Sequence, residues 1–502
     1  MGYSVLLVFV LAGSFLTKAP FLNEPLLGHF GSYQVMNGMM AKMMNWDSLD
    51  SLFIPQSFVI IDGKPALHLL YYPFSSFFAA FFHLLTGANI DFCGRFQSSM
   101  CMLLAAVALY FVVKRIYDSK IATLACTVFS FSPMVLVSGI SFQNEAAATL
   151  FLILAFCFAL SDASWKSVLS GLLFSSSVIA RLHFLAFLPA FILILLQSKR
   201  SVKCWIIFFL GFLLPLAAWC ALVWSLDHHA TNIWSSFFRQ SREGRFLISS
   251  LLTSGDFYKR ILEILVGEAL TPVMLPFLVL GFFGWDLKRL PFQIWFLGSL
   301  STIFILPQKT FQHSFYLIGS IPAASVLIAI ALNRLTYSFS KSALMALWIT
   351  FFFFAFRYFL PPTWSSVIEK EKQVTLIGEE IKKITSENDW IIGAYGSSAA
   401  LLYYADRLGW GFDLSMTRKI DPDIEAKFPH KEWFWQAREK GYGDPVLWLE
   451  YLRKQGAKYL VIGIPGEFWS RENFAEYVTA RYQMMNDARE RFLVFDLTAT
   501  IA

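Results

Sequence analysis

Lysine and arginine return in every second gap between the apolar runs of this chain. Lys114, Arg115 and Lys120 fill one gap, and Lys199, Arg200 and Lys203 fill another. Lys288 and Arg289 mark a third, and Arg334 with Lys341 a fourth. A bilayer core asks for about 20 apolar residues per helix, and Lys and Arg between such helices stay cytoplasmic. The pattern predicts a mainly α, polytopic helical membrane protein with its basic gaps inside. The remaining gaps, which hold His29, Glu145 and His313, then face outward.

Charged residues make up 15% of the chain and hydrophobic ones 56%. A soluble chain carries about 25% charge, so this one is expected in a membrane. The net charge of +6 follows from the basic gaps and calls for no nucleic-acid partner. Cys93, Cys101, Cys126, Cys157, Cys204 and Cys220 mostly sit in apolar runs without metal-type pairing. They read as small core hydrophobes. The run Tyr3 to Leu16 lacks a basic leader and an Ala-x-Ala site, so it is expected to be an uncleaved first helix.

Further spans are expected at 96–113, 121–138, 146–160, 167–180, 184–197, 204–225, 269–285, 291–306, 315–332 and 342–360. With the first helix the total is about eleven. Counting Pro73 to Leu85 as another span would invert every later basic gap. It is therefore expected as an interfacial or re-entrant helix in a long first outer loop, 18–95. Residues 226–268 form a second large outer loop. Pro361-Pro362 ends the membrane part, 1–360, because paired prolines cannot continue a helix. In 361–502, helices at 371–384, Ala399 to Ala405 and Pro445 to Gln455 alternate with strands Trp390 to Tyr395 and Lys458 to Ile464. That alternation predicts a C-terminal α/β soluble domain.

Several polar groups stand out against this apolar background. Glu145 lies at the outer end of a span, where an ionisable group suggests function. It also reads as a helix N-terminal acid, with Asn144 or Ser141 near the cap. His29 lies between Gly28 and Gly31, which let backbone approach a ligand closely. Glu24 precedes it. Lys64, near Tyr71 and Tyr72, suits a phosphate or a snorkelling interfacial position. Lys309, His313 and Tyr316 gather at the mouth of an apolar helix, where they suit a phosphate clamp. His228 and His229 are adjacent and do not face one metal site.

Short motifs in a fixed order give this chain a resemblance. They are Tyr72-Pro73 through Gly87, Gly94-Arg95-Phe96, Lys114-Arg115-Ile116-Tyr117, Ser132-Pro133 and Phe142-Gln143-Asn144-Glu145-Ala146. His313-Ser314-Phe315-Tyr316 with Pro322, Leu401-Leu402-Tyr403-Tyr404-Ala405 and Gly456-Ala457-Lys458-Tyr459-Leu460-Val461 follow. Together they resemble the polytopic GT-C glycosyltransferases. Within that group the similarity is to glycosyltransferase family 39, with its protein mannosyltransferases and lipid A aminoarabinose transferases. The resemblance implies transfer of a hexose or pentose from a polyprenyl-phosphate carrier to a glycan, lipid or protein acceptor. It places the reaction on the outer face of a bacterial inner membrane, with the C-terminal domain periplasmic. The family usually carries an acid in the first outer loop, often Asp-Glu; here His29-Phe30 stands there, with Glu24 upstream.

On this reading His29 or Glu24 is the base, and Glu145 orients it or shares its role. Lys64, Arg181, Lys309 and His313 contact phosphate, with Tyr72 and Tyr316 beside the substrate. Surrounding lipids are the other partner, and neither a cofactor nor a divalent metal is required. Two other classes fit the sequence: a secondary transporter, and a non-catalytic or ligase-like relative. A transporter generally buries its ionisable groups near the bilayer midplane, whereas these cluster in outer loops.

Overall fold

The computed structural model describes residues 2–26, 30–61, 63–69, 71–161, 163–198, 201–226, 249–284, 286–335, 340–360, 364–395, 399–414, 444–486 and 491–500. The chain divides into two compact units. The first comprises Met1–Asn23, Leu70–His228 and Asn232–Pro362; the second comprises Glu24–Leu69, His229–Thr231 and Thr363–Ala502.

The first unit is helical. Five helices among the described residues are long and apolar enough to cross a membrane: Tyr3–Phe21, Ile90–Ile116, Val202–Ser225, Ser314–Leu335 and Lys341–Phe359. The expected span 121–138 is a broken pair, Ser119–Phe131 and Pro133–Ile140, bent by 59°. Pro133 has no N–H to offer the preceding turn, so the helix restarts there instead of continuing. Asn144–Ala159, Leu182–Gln197 and Leu290–Ile305 are apolar helices of sub-span length. Among the described residues, the helices long enough alone or as a bent pair number five or six, beside four shorter apolar helices; the sequence suggests about eleven spans. Phe74–Thr86, the stretch denied a span, is a helix of 13 residues packed against Ile90–Ile116.

Small residues let these helices approach. Gly171 and Gly211 face each other across Ser164–Ala180 and Val202–Ser225, and a Cβ on Gly171 would overlap the Phe208 carbonyl oxygen. With hydrocarbon on both sides there is no hydrophobic drive between helices, so close backbone contact carries the packing. Trp295 is fully buried in the core. Its ring stacks on Phe156 at 4.1 Å, and its N–H donates to the Gly319 carbonyl at 2.8 Å. All six cysteines are free thiols.

The second unit is built on a sheet of seven strands: β1 (Gln56–Ile61), β2 (Lys64–Leu67), β3 (Trp390–Ala394), β4 (Gly409–Gly411), β5 (Ala457–Ile462), β6 (Tyr482–Met484) and β7 (Leu493–Thr500). Their order is β2-β1-β4-β3-β5-β7-β6. β1 runs parallel to β4, β4 to β3 and β3 to β5, while both edges are closed by antiparallel hairpin-type pairs. The expected elements appear as Trp364–Ile384, Trp390–Ala394, Ala400–Ala405, Pro445–Lys454 and Ala457–Ile462. The first outer loop differs from expectation. Its residues 24–69 belong to this second unit and supply two strands of its sheet, in addition to helix Gly31–Met43. Tyr404 fixes that attachment by accepting from the Leu26 backbone N–H at 2.7 Å.

Candidate active site

Glu145 opens the helix Asn144–Ala159 and is fully buried. A carboxylate in that position is intolerable without a partner. Its partner is Arg181, whose Nη2 lies 2.5 Å from Oε1. Arg181 sits where Ser164–Ala180 stops and the backbone turns extended. The side chains of the pair are 0% and 7% exposed. Two aromatic rings bracket the guanidinium, Tyr71 at 4.6 Å and Phe315 at 5.6 Å from its carbon. Glu145 is thus the counter-ion of a caged arginine.

Asn144 is the first residue of the helix, beside its N-cap Gln143, which makes no side-chain cap bond. The Asn144 amide donates to the Tyr72 carbonyl and accepts from the Ser75 N–H, each at 2.9 Å. The Ser75 hydroxyl donates to the Gln143 carbonyl at 2.7 Å. These bonds pin the Tyr71-Tyr72 segment over the ion pair. Arg95 donates to the Ile140 carbonyl. Gly94 has no room for a Cβ against the Phe142 ring. Two segments, one at Tyr72–Ser75 and one at Gly94-Arg95, thus hold the run Ile140 to Asn144.

The candidates of the later loop converge on the same arginine. His313 stacks on Phe315 at 5.3 Å, and Tyr316 lies 4.9 Å from the His183 ring. Burial, then the charges of Lys309 and Arg181, push the His313 imidazole down to about 4, so it is neutral at pH 7. Tyr72 is buried with its ring edge-on to Phe74 and Trp219, at 4.7 and 5.7 Å. Burial pushes its phenol up to about 12. Glu145, Arg181, Tyr72, Lys309, His313 and Tyr316 all belong to the first unit.

Glu24 and Lys64 belong to the second unit, where Lys64 opens β2 and is exposed. His29 and the pair His228-His229 lie outside the described residues. Tyr71, Phe315 and His183 were not singled out as site residues by sequence reasoning. The signal available was Arg181-Leu182-His183, two polar groups set into an apolar stretch. Among the described residues, no three His, Cys, Asp or Glu side chains gather as a metal site.

Beside the ion pair lies a cavity of about 980 Å³. Ile179, Leu182 and His183 form one wall, Leu216 and Trp219 a second, and the helix Leu290–Ile305 a third. Its surface is almost wholly apolar, and it begins one residue from Arg181.

Residues 65–224 match the family model of dolichyl-phosphate-mannose-protein mannosyltransferases, a segment that contains Tyr72, Glu145 and Arg181. No curated protein sequence matches the chain. The crystal structure of ArnT from Cupriavidus metallidurans bound to undecaprenyl phosphate is similar in fold. It has a TM-score of 0.67 at 14% identity, covering 98% of this chain and 98% of that one. Its apo state aligns with the same score and identity over 97% of each chain. The apo oligosaccharyltransferase of Archaeoglobus fulgidus aligns with a TM-score of 0.51 at 10% identity, over 95% of this chain and 73% of that one. The chain is a multi-pass membrane protein that shares its fold with these GT-C glycosyltransferase structures, and its residues 65–224 carry the mannosyltransferase match.

Proposed function

We propose that this protein is a glycosyltransferase that moves a sugar from a polyprenyl-phosphate donor to an acceptor hydroxyl. The observation that carries the reading is Arg181: a buried cation, held by Glu145 beside two rings, whose chain neighbour Leu182 lines a large apolar cavity. An isoprenoid chain suits the cavity, and its phosphate suits the arginine. Undecaprenyl phosphate, bound in the structurally similar ArnT, supports the same donor class.

In the reaction the acceptor oxygen attacks the anomeric carbon from the face opposite the phosphate. The bond from that carbon to the phosphate oxygen breaks, and its electron pair leaves with the lipid phosphate. A base removes the acceptor proton, and the anomeric centre inverts. Arg181 faces the charge that grows on the departing phosphate, and a preorganised cation in a dry site lowers that barrier most. Glu145 is a positioning residue, since its carboxylate is committed to the guanidinium. His29 or Glu24 takes the proton. Lys64, Lys309, His313, Tyr72 and Tyr316 contact the donor head group. The reaction needs no divalent metal, and it belongs to the outer face of a bacterial inner membrane, with the C-terminal domain periplasmic.

Purified protein given a polyprenyl-phosphate sugar and a matching acceptor is expected to release polyprenyl phosphate, with or without a chelator. Glu145→Gln and His29→Ala are each expected to abolish release while leaving folded protein. Full activity in both variants overturns the site assignment. Ion-driven solute uptake into proteoliposomes without sugar transfer overturns the activity.

A further inference from the structure

Lys18 closes the first helix, Tyr3–Lys18, and is 1% exposed. Among the described residues it makes one hydrogen bond, to the Ser14 hydroxyl at 3.0 Å, and no ion pair. Ser14 spends its own proton on the Ser130 carbonyl at 3.1 Å, so it meets Lys18 as an acceptor. An ammonium out of water with no carboxylate beside it needs another source of negative potential. That source is the end of the helix Pro133–Ile140. Gly139, in its last turn, leaves the hollow that takes the lysine: a Cβ there would lie 2.7 Å from Lys18 Cε and 3.2 Å from Nζ. The last four carbonyls of a helix have no partner within it, and the macrodipole leaves about −0.5 charge there. Side chains take three of the four: Ser141 donates to Val137 at 2.8 Å, Ser99 to Gly139 at 2.5 Å, and Arg95 to Ile140. Two cations, Lys18 and Arg95, thus stand at this helix end.

We infer that the Lys18 ammonium is the counter-charge of this helix end and a positioning residue for sugar transfer. It holds the last turn of Pro133–Ile140, and from that turn the chain runs through Phe142 and Asn144 to Glu145, which fixes Arg181. The inference rests on the transfer reaction proposed above and adds a residue that sets the geometry of its ion pair. Among the described residues, no hydrogen bond or ion pair joins Lys18 to Glu145 or Arg181, so its effect runs through the backbone between them. A charge role and a packing role predict different outcomes. Methionine keeps an unbranched stem for the Gly139 hollow, and an apolar replacement of a buried charge is generally neutral or stabilising. Packing alone therefore predicts full activity in Lys18→Met. Loss of the counter-charge releases the helix end instead, and a shift of about 1 Å in a distant support lowers turnover up to about 100-fold.

The test is the release assay above, run at steady state on the purified full chain in detergent beside thermal melting. Lys18→Met is expected to melt no lower than wild type, to lower kcat about 10- to 100-fold and to leave KM within about 3-fold. Lys18→Gln, which keeps an N–H but no charge, is expected to stay as slow. Gly139→Ala, which keeps the ammonium but takes its place, is expected to lower kcat in the same way, and it gives an independent reading if the Lys18 variants fail to fold. In an Arg181→Lys background Lys18→Met is expected to add little further loss, because the fork it positions is already gone. Wild-type kcat in Lys18→Met, recovery in Lys18→Gln, or fully additive losses in the double variant overturns the inference and leaves the transfer reaction standing. Wild-type protein that releases no polyprenyl phosphate overturns the reaction and the inference together.

Discussion

One ion pair of the first unit contrasts with two of the second. In the first, Glu145 and Arg181 meet with both side chains out of solvent. In the second, two described pairs keep one partner wet: Lys42 with Asp406 at 3.0 Å, 23% and 47% exposed, and Lys458 with Asp389 at 2.6 Å, 50% and 7% exposed. A wet pair is cheap to form and weakly held. A dry pair loses the solvation of both ions, and an apolar pair of the same volume would generally be as stable or more so. Retention of the dry pair is thus poorly explained by stability, and a charge held ready for a substrate explains it directly. Under the proposed function, the contrast singles out Glu145–Arg181 as a pair kept for chemistry.

The sharpest way to break that contrast is Glu145→Ala, which strands a buried guanidinium. It is expected to cost about 3–5 kcal/mol, read as a fall in thermal stability in detergent. The double variant Glu145→Leu with Arg181→Met is expected to recover the stability but not the transfer. If it recovers both, the pair is structural. Arg181→Lys keeps the charge but loses the planar fork that Tyr71 and Phe315 bracket. It is expected to lower kcat about 100- to 1000-fold with a smaller effect on stability.

On the wet side, Asp389 gives a pH-dependent effect. Burial alone would raise its pKa, but hydrogen bonds from Lys458 and the Ser386 N–H outweigh burial and hold it below the usual range. A depressed carboxylate contributes stability above its unfolded pKa of about 4 and loses it as pH falls through the folded value. Asp389→Asn is therefore expected to be less stable than wild type at neutral pH, with the gap closing below about pH 4 in a melting series. The smallest effect belongs to Lys42→Met. Its ammonium lies 4.2 Å from the Tyr403 ring centre as well as against Asp406, yet a change under about 1 kcal/mol is expected.

What the sequence made legible followed from one-body properties. Span length and flanking charge belong to a segment by itself, so 204–225 and 342–360 appear as Val202–Ser225 and Lys341–Phe359. The alternating pattern after Trp390 likewise located β3 and β5. The strands β1 and β2 were not seen, because Gln56–Ile61 acquires its sheet only by lying beside Gly409–Gly411. The site divides in the same way. Glu145 is conspicuous where it stands, but nothing local pairs it with Arg181 or makes Asn144 a bridge between Tyr72 and Ser75. The cavity itself exists only because three segments distant in sequence line it.

The hydrogen bond from Leu26 to Tyr404 joins residues 378 positions apart. At about 5–20 residues per second, a ribosome needs roughly 20 to 75 s to cover that distance. For most of that interval β1 has been made and β4 has not, while the helices of the first unit are being made between them. The newborn segment 24–69 therefore spends its first minute as an orphan hairpin with an open edge, the form of polypeptide most prone to pair with a stranger. For this protein, biogenesis is a holding problem before it is a folding problem.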